Sequence, residues 1–188
     1  MKSLIIYAHP YEGSFNNFVL SKTKNLLIEK GNLVDVIDLN SDGFNPVMTK
    51  DDLKLFSKGE YFDSLASNYA KRLKEADELV LIFPIWWYGE PAILKGFYDK
   101  VLLKGHTYDE VDHQLKGLLK ADKATILTTA NITEEIFKFL GDPIKNVLSN
   151  GILNTVGINN VSWIHCSTVH DNSSRDEYLN KIEDHFNK

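Results

Sequence analysis

Short β-rich apolar runs alternate along this chain with segments of helical period, and that alternation restricts its fold more than any single motif does. The runs are Ser3 to Ala8, Leu33 to Asp38, Glu78 to Phe83, Ala124 to Thr129 and Ile158 to His165. The first, third and fourth are almost continuously apolar, the pattern of strands covered on both faces, which implies a parallel sheet. Helical segments are expected at about Phe15 to Lys30, Tyr61 to Ala76, Ala92 to Leu103, Glu134 to Ser149 and Ser174 to Phe186. Ser14 suits the cap of the first helix, Gly31 its closure and Pro91 the first turn of the third. A repeated βα order of this length predicts an α/β three-layer sandwich, with a five-stranded parallel sheet in order 2-1-3-4-5 and helices on both faces. With 188 residues, one domain spanning 1–188 is expected. The connections Asn40 to Glu60 and Gly105 to Lys123 exceed the usual loop lengths, so they are candidates for site-forming or interface elements.

Composition narrows the function. Hydrophobic residues at 43% and charged residues at 25% suit an ordinary globular core, while a net charge of −5 argues against nucleic acid or an anionic membrane surface as partner. The single cysteine, Cys166, excludes an internal disulfide framework and any multi-cysteine metal site, and a cytoplasmic location fits it best. The apolar run Leu4 to Tyr7 is too short for a signal-peptide core, and nothing reaches the roughly 20 apolar residues of a spanning helix. His106, His113, His165 and His170 lack metal-ligand spacing, so no metal is expected.

Ligands of open parallel sheets sit beyond the carboxyl ends of the strands, near the point where strand order reverses. Three unusual segments fall there. After the first strand, His9-Pro10-Tyr11-Glu12-Gly13-Ser14-Phe15-Asn16 leads into a helix whose free N–H groups suit a phosphate, although an ordinary capped turn reads the same. It matches neither common glycine-rich nucleotide loop. After the third strand, Pro84, Ile85, Trp86, Trp87 and Tyr88 gather aromatic side chains that suit a planar heteroaromatic ring or, equally, a core plug or subunit surface. After the fourth, Thr128, Thr129, Ala130 and Asn131 offer hydroxyls and amides, although threonine simply favours strands. Their convergence on one end of the sheet favours a ligand site.

The run FPIWWYGEPAILKGFYDKV closely resembles the signature of the NAD(P)H dehydrogenase (quinone) family of flavodoxin-like flavoproteins, in its short bacterial form. HPYEGSFNN, GFNPVM, GHTY, KGLLKADKATILTT and GILNTVGI resemble further segments of that family in the same order, so the likeness covers nearly the whole chain. The resemblance implies a flavin site with His9, Ser14, Phe15 and Asn16 toward the phosphate and ribityl chain, Pro84 to Tyr88 along the ring, and Thr128 and Thr129 at its other edge. It also implies a homodimer with the active site at the subunit boundary. The implied activity is ping-pong transfer of hydride from NAD(P)H, through the flavin, to a quinone or similar acceptor. FMN is expected rather than FAD, because the chain has little length beyond the sheet for an adenine half. Ala130-Asn131 stands where the family usually has glycines, and the tyrosine and histidine that assist hydride transfer in the animal enzymes find no counterpart between Ile132 and Asn150. No catalytic side chain is therefore assigned. The alternative is a flavin-binding ancillary subunit of a potassium-efflux or other membrane system. A flavodoxin-like electron carrier is disfavoured, since the first loop lacks that family's Thr-Gly-rich pattern.

Overall fold

In the computed structural model, which describes residues 1–187, the five expected strands form one parallel sheet. In chain order they are β1 (Lys2–Tyr7), β2 (Leu33–Asp38), β3 (Glu78–Pro84), β6 (Lys123–Thr129) and β7 (Asn160–Cys166). Their spatial order, β2-β1-β3-β6-β7, is the expected 2-1-3-4-5 once only these five are counted. A separate antiparallel hairpin supplies β4 (Tyr108–Val111) and β5 (Gln114–Gly117).

Strand periodicity divides the core in two. Leu4, Ile6, Leu79, Leu81 and Phe83 face one cluster, whereas Ile5, Tyr7, Val80 and Ile82 face the other. Every residue of β3 is buried, as expected for a central strand clothed on both sides. Helices α1 (Phe15–Glu29) and α6 (Asn172–Phe186) cover the second cluster through Val19, Leu27, Tyr178, Ile182 and Phe186. Opposite them lie α3 (Ser64–Glu75), α4 (Ala92–Val101), α5 (Glu134–Phe139) and a π-helical segment, Ile144–Leu153. Cys166, at the end of β7, is buried and acts as a small core residue, its thiol pKa pushed up by burial.

Four local expectations need correction. The helix anticipated from Glu134 to Ser149 is broken between α5 and the π-helical segment, because Gly141 and Asp142 take φ of 86° and 49° and Pro143 follows. The helix expected from Tyr61 starts at Ser64, where Asp63 accepts hydrogen bonds from the N–H groups of Leu65 and Ala66. Pro91 occupies the cap of α4 rather than its first turn. The last helix begins two residues early, its Asp171 cap accepting from the Ser174 N–H.

Both long connections carry structure. The first contains α2 (Lys50–Phe56), which opens on a reciprocal capping box between Thr49 and Asp52. Just before that helix, Pro46 packs so closely on α4 that a Cβ at Gly96 would collide with the Pro46 carbonyl oxygen. The second is the β4–β5 hairpin, where Gly117 abuts the backbone of Gly157. Among the described residues no helix is long and apolar enough to cross a membrane.

Candidate active site

At the carboxyl ends of β1, β3, β6 and β7 lies a cleft of ≈ 330 Å³. β1 hydrogen-bonds to β2 on one side and β3 on the other, so the cleft lies at the reversal point of the strand order. Its first wall is His9, Ser14, Phe15 and Asn16; its second is Pro84, Ile85 and Trp86; its third is Thr129, Ala130 and Asn131. These are ten of the thirteen residues singled out from the sequence.

The first wall has the makings of an anion cradle. Ser14 caps α1, its hydroxyl accepting from the Asn17 N–H at 3.2 Å, which leaves the N–H groups of Phe15 and Asn16, at the start of a 15-residue helix, beside the cleft. Asn16 is 4% exposed; its Nδ2 donates to Thr129 Oγ1 at 2.8 Å, while its Oδ1 is buried with no protein partner. Leaving a buried acceptor unpaired costs about 1–3 kcal/mol, so this atom suits a ligand donor. His9 Nδ1 accepts from the Tyr11 N–H, so the neutral ring carries its proton on Nε2, and burial holds its pKa below the usual imidazole value.

The structure does not bring the other three candidates into the cleft. Thr128 is wholly buried, where its hydroxyl contacts Trp163 and His165 instead. Trp87 and Tyr88 form the tip of a tight turn closed by reciprocal backbone hydrogen bonds between Trp86 and Gly89, and both have positive φ, 51° and 67°. Trp87 is 94% exposed there. The backbone also limits what the walls can donate: the N–H groups of Ile85, Trp86 and Ala130 are already bound to the carbonyls of Thr129, Gly89 and Cys166.

A fourth wall escaped the sequence reading. Val169, His170 and Arg175 close the cleft from the β7 side. The Arg175 guanidinium lies 4.9 Å from the Phe15 ring centroid, and its Nε donates to the Val169 carbonyl at 2.5 Å. Among the described residues no carboxylate pairs with it. A lone arginine beyond the last strand carries no local signal; only its place against Phe15, at the far end of the sequence, gives it meaning. Beyond Phe15 the cleft continues into a groove of ≈ 570 Å³ lined by Gly13, Phe18, Asp176 and Leu179 among others.

Fold and cleft together define a doubly wound α/β protein with a ligand site at its topological switch point. More narrowly, the chain belongs to the family described as having a flavodoxin-like fold, whose model matches residues 1–187. It is similar to an uncharacterized NAD(P)H oxidoreductase of Haemophilus influenzae, 31% identical over 90% of this chain and 85% of that one. The structure resembles that of the NAD(P)H:quinone oxidoreductase from Methanothermobacter marburgensis, at 27% identity and a TM-score of 0.90, covering 99% of this chain and 97% of that one. The FMN-dependent NADH-azoreductase of Bacillus anthracis solved with FMN shares the fold at 17% identity and a TM-score of 0.82, over 99% and 97% of the two chains. The affinity anticipated from the aromatic run after β3 therefore holds.

Proposed function

We propose that this protein is a flavin-dependent NAD(P)H oxidoreductase that passes hydride from NAD(P)H to a quinone or a similar acceptor in ping-pong fashion. The observation that carries the reading is the cleft itself. A capped helix N-terminus, an arginine with no carboxylate partner among the described residues and a buried, unpaired Asn16 Oδ1 converge beneath an aromatic wall. That set matches a ligand with an anionic end, polar hydrogen donors along its length and a planar ring. The names of the relatives support the same reaction class.

When bound, a flavin supplies the hydride chemistry, and the protein's task is to hold and orient it. The first turn of α1 with Ser14 and Arg175 would hold the phosphate. Asn16 would accept a hydrogen bond through Oδ1, held in place by its own donation to Thr129. Ile85 and Trp86 would flank the ring on one side and Thr129 to Asn131 on the other, with the buried Ile85 and Ala130 side chains excluding water where they meet it. The engaged N–H groups of Ile85, Trp86 and Ala130 leave Asn131 and the His9 Nε2–H as candidate donors to negative charge developing on the ring.

FMN is the proposed flavin, and a homodimer the proposed assembly, with the exposed Trp87 and Tyr88 tip contributing at the subunit boundary. The groove past Phe15 favours one second reading, FAD, since its stacked Phe15 and Phe18 rings would accept an adenine. The test is direct. Purified protein should be yellow or take up added FMN; NADH or NADPH should then bleach that flavin once without an acceptor, and sustained turnover should require a quinone or comparable acceptor. Chromatography of the released flavin separates FMN from FAD. A colourless protein that neither flavin activates overturns the assignment.

A further inference from the structure

His165 stands outside the cleft yet is bonded to the backbone that follows one of its walls. Its imidazole sits at the end of β7, with Nε2 2.8 Å from the Ile132 carbonyl oxygen and Nδ1 2.8 Å from Thr128 Oγ1. Trp163 Nε1 donates to the same Thr128 oxygen at 2.8 Å. For the neutral ring these contacts admit one proton arrangement. A carbonyl can only accept, so Nε2 carries the ring proton; neutral Nδ1 can then only accept, so the Thr128 hydroxyl donates to it while accepting from the indole. The result is an unbroken donor chain, Trp163 to Thr128 to His165 to Ile132, each group used in the one sense open to it.

Apart from the packing of the Ile132 side chain on the core, the wall it ends on is otherwise hydrogen-bonded, among the described residues, only at its start. Ala130 exchanges backbone hydrogen bonds with Cys166 and Val169, and Asn131 bridges to Thr168. Beyond that pairing the chain leaves the sheet toward α5, and the His165 bond to Ile132 is the tie that follows. Phe137 of α5 is wholly buried and meets both Trp163 and His165 edge-on, at 5.6 and 5.3 Å, so packing holds the imidazole in plane for the bond.

We propose that His165 is a positioning residue: through the Ile132 carbonyl it fixes the Ala130–Asn131 wall against the bound cofactor, with Thr128 and Trp163 setting its tautomer. The proposal rests on the cofactor reading above for its functional half. Thr128, drawn from the sequence as a cofactor contact, thereby acts on the site at one remove. The charged groups around the ring are Glu134 and Glu135 of α5 and Glu177 and Lys181 of α6, which line the cavity on its far side. Burial nevertheless holds the imidazole below its usual pKa, which favours the neutral ring in which Thr128 donates to Nδ1.

The experiment compares wild type, His165→Phe and His165→Gln, the last able to offer a donor and an acceptor in similar positions. In cofactor-free protein, amide hydrogen exchange at 130–133 should be at least about tenfold faster in His165→Phe, with β1 amides unaffected, and should return to within about threefold of wild type in His165→Gln. The dissociation constant for added FMN should rise and recover in parallel. Wild-type exchange at 130–133 in His165→Phe overturns the proposal; so does faster exchange with unchanged FMN affinity. If wild type binds neither FMN nor FAD, the cofactor reading fails instead, and the exchange data alone decide the clasp. Should His165→Phe not fold, Thr128→Val, which removes the hydroxyl but keeps its shape, must show the same pattern in both measurements.

Discussion

At the scale of single residues, the cleft depends on side chains whose polar atoms have been left for something other than protein. Arg175 is the clearest, a guanidinium stacked near Phe15 with one nitrogen bound to a carbonyl and no carboxylate partner among the described residues. Arg175→Met keeps the bulk but removes the charge. Hydrogen bonds to charged groups contribute about 1.5–3 kcal/mol, so flavin affinity measured by fluorescence titration should fall roughly 10- to 100-fold with the fold intact. The buried imidazoles give a second expectation, in pH. His165 and His9 are both held by burial below the usual value of 6.5, so as pH drops through 6.5 the unfolded chain takes up protons before the folded one does. Stability is therefore level above that point and declines as pH falls toward the lowered folded values. Thermal midpoints taken from about pH 7.5 to about 5.5 should show this decline, with a shallower slope in His165→Gln; a midpoint that rises over the same interval would contradict it.

At the scale of elements, the turn after β3 joins strain to exposure. Trp87 and Tyr88 both occupy the left-handed region, where a bulky residue costs of order 1–3 kcal/mol, yet Trp87 has almost no protein around it to repay that cost. The double substitution Trp87→Asn with Tyr88→Gly supplies the residue types that a two-residue turn of this shape favours, and should raise unfolding free energy in urea by about 1–2 kcal/mol. The same variant should turn over its acceptor more slowly, and undiminished turnover would show that the aromatic tip has no part in the reaction. Sequence displayed this turn as a cluster of aromatic residues but not its shape, because no glycine or asparagine at the tip announces a left-handed backbone. The opposite holds between α5 and the π-helical segment. There Gly141-Asp142-Pro143 spells a helix end in plain chemistry, and the hydrophobic period running through it hid the break. The five strands of the main sheet were legible, the central ones because two-sided burial forces continuous apolar runs, whereas the largely exposed β4–β5 hairpin was not. The fourth wall was not, because Val169, His170 and Arg175 gain their meaning only from contact with the first helix.

At the scale of the whole molecule, the long connection after β2 is fastened to the helical layer by a buried cation. Lys100 on α4 is 6% exposed; its Nζ lies 2.7 Å from Asp63 and 3.7 Å from Asp52, and donates to the Asn45 carbonyl at 3.0 Å. Removing one partner of such a cluster strands the others' charge. Lys100→Met should lower stability by about 3–5 kcal/mol in urea unfolding, and adding Asp63→Asn, which can still cap α3, should recover part of the loss. A full-strength Lys100→Met would mean that water reaches the cluster.

The seam between α1 and α6 has a consequence of another kind. Phe15 meets Arg175, and Lys22 reaches Glu183, so the first and last helices close one site between them. A ribosome delivers Ser14 and the aromatic turn long before β7 and Arg175, and the central strands can pair while the fourth wall is still unmade. A flavin held as proposed would thus be acquired late in the chain's synthesis or after it, when the last strand has taken its place at the sheet's edge.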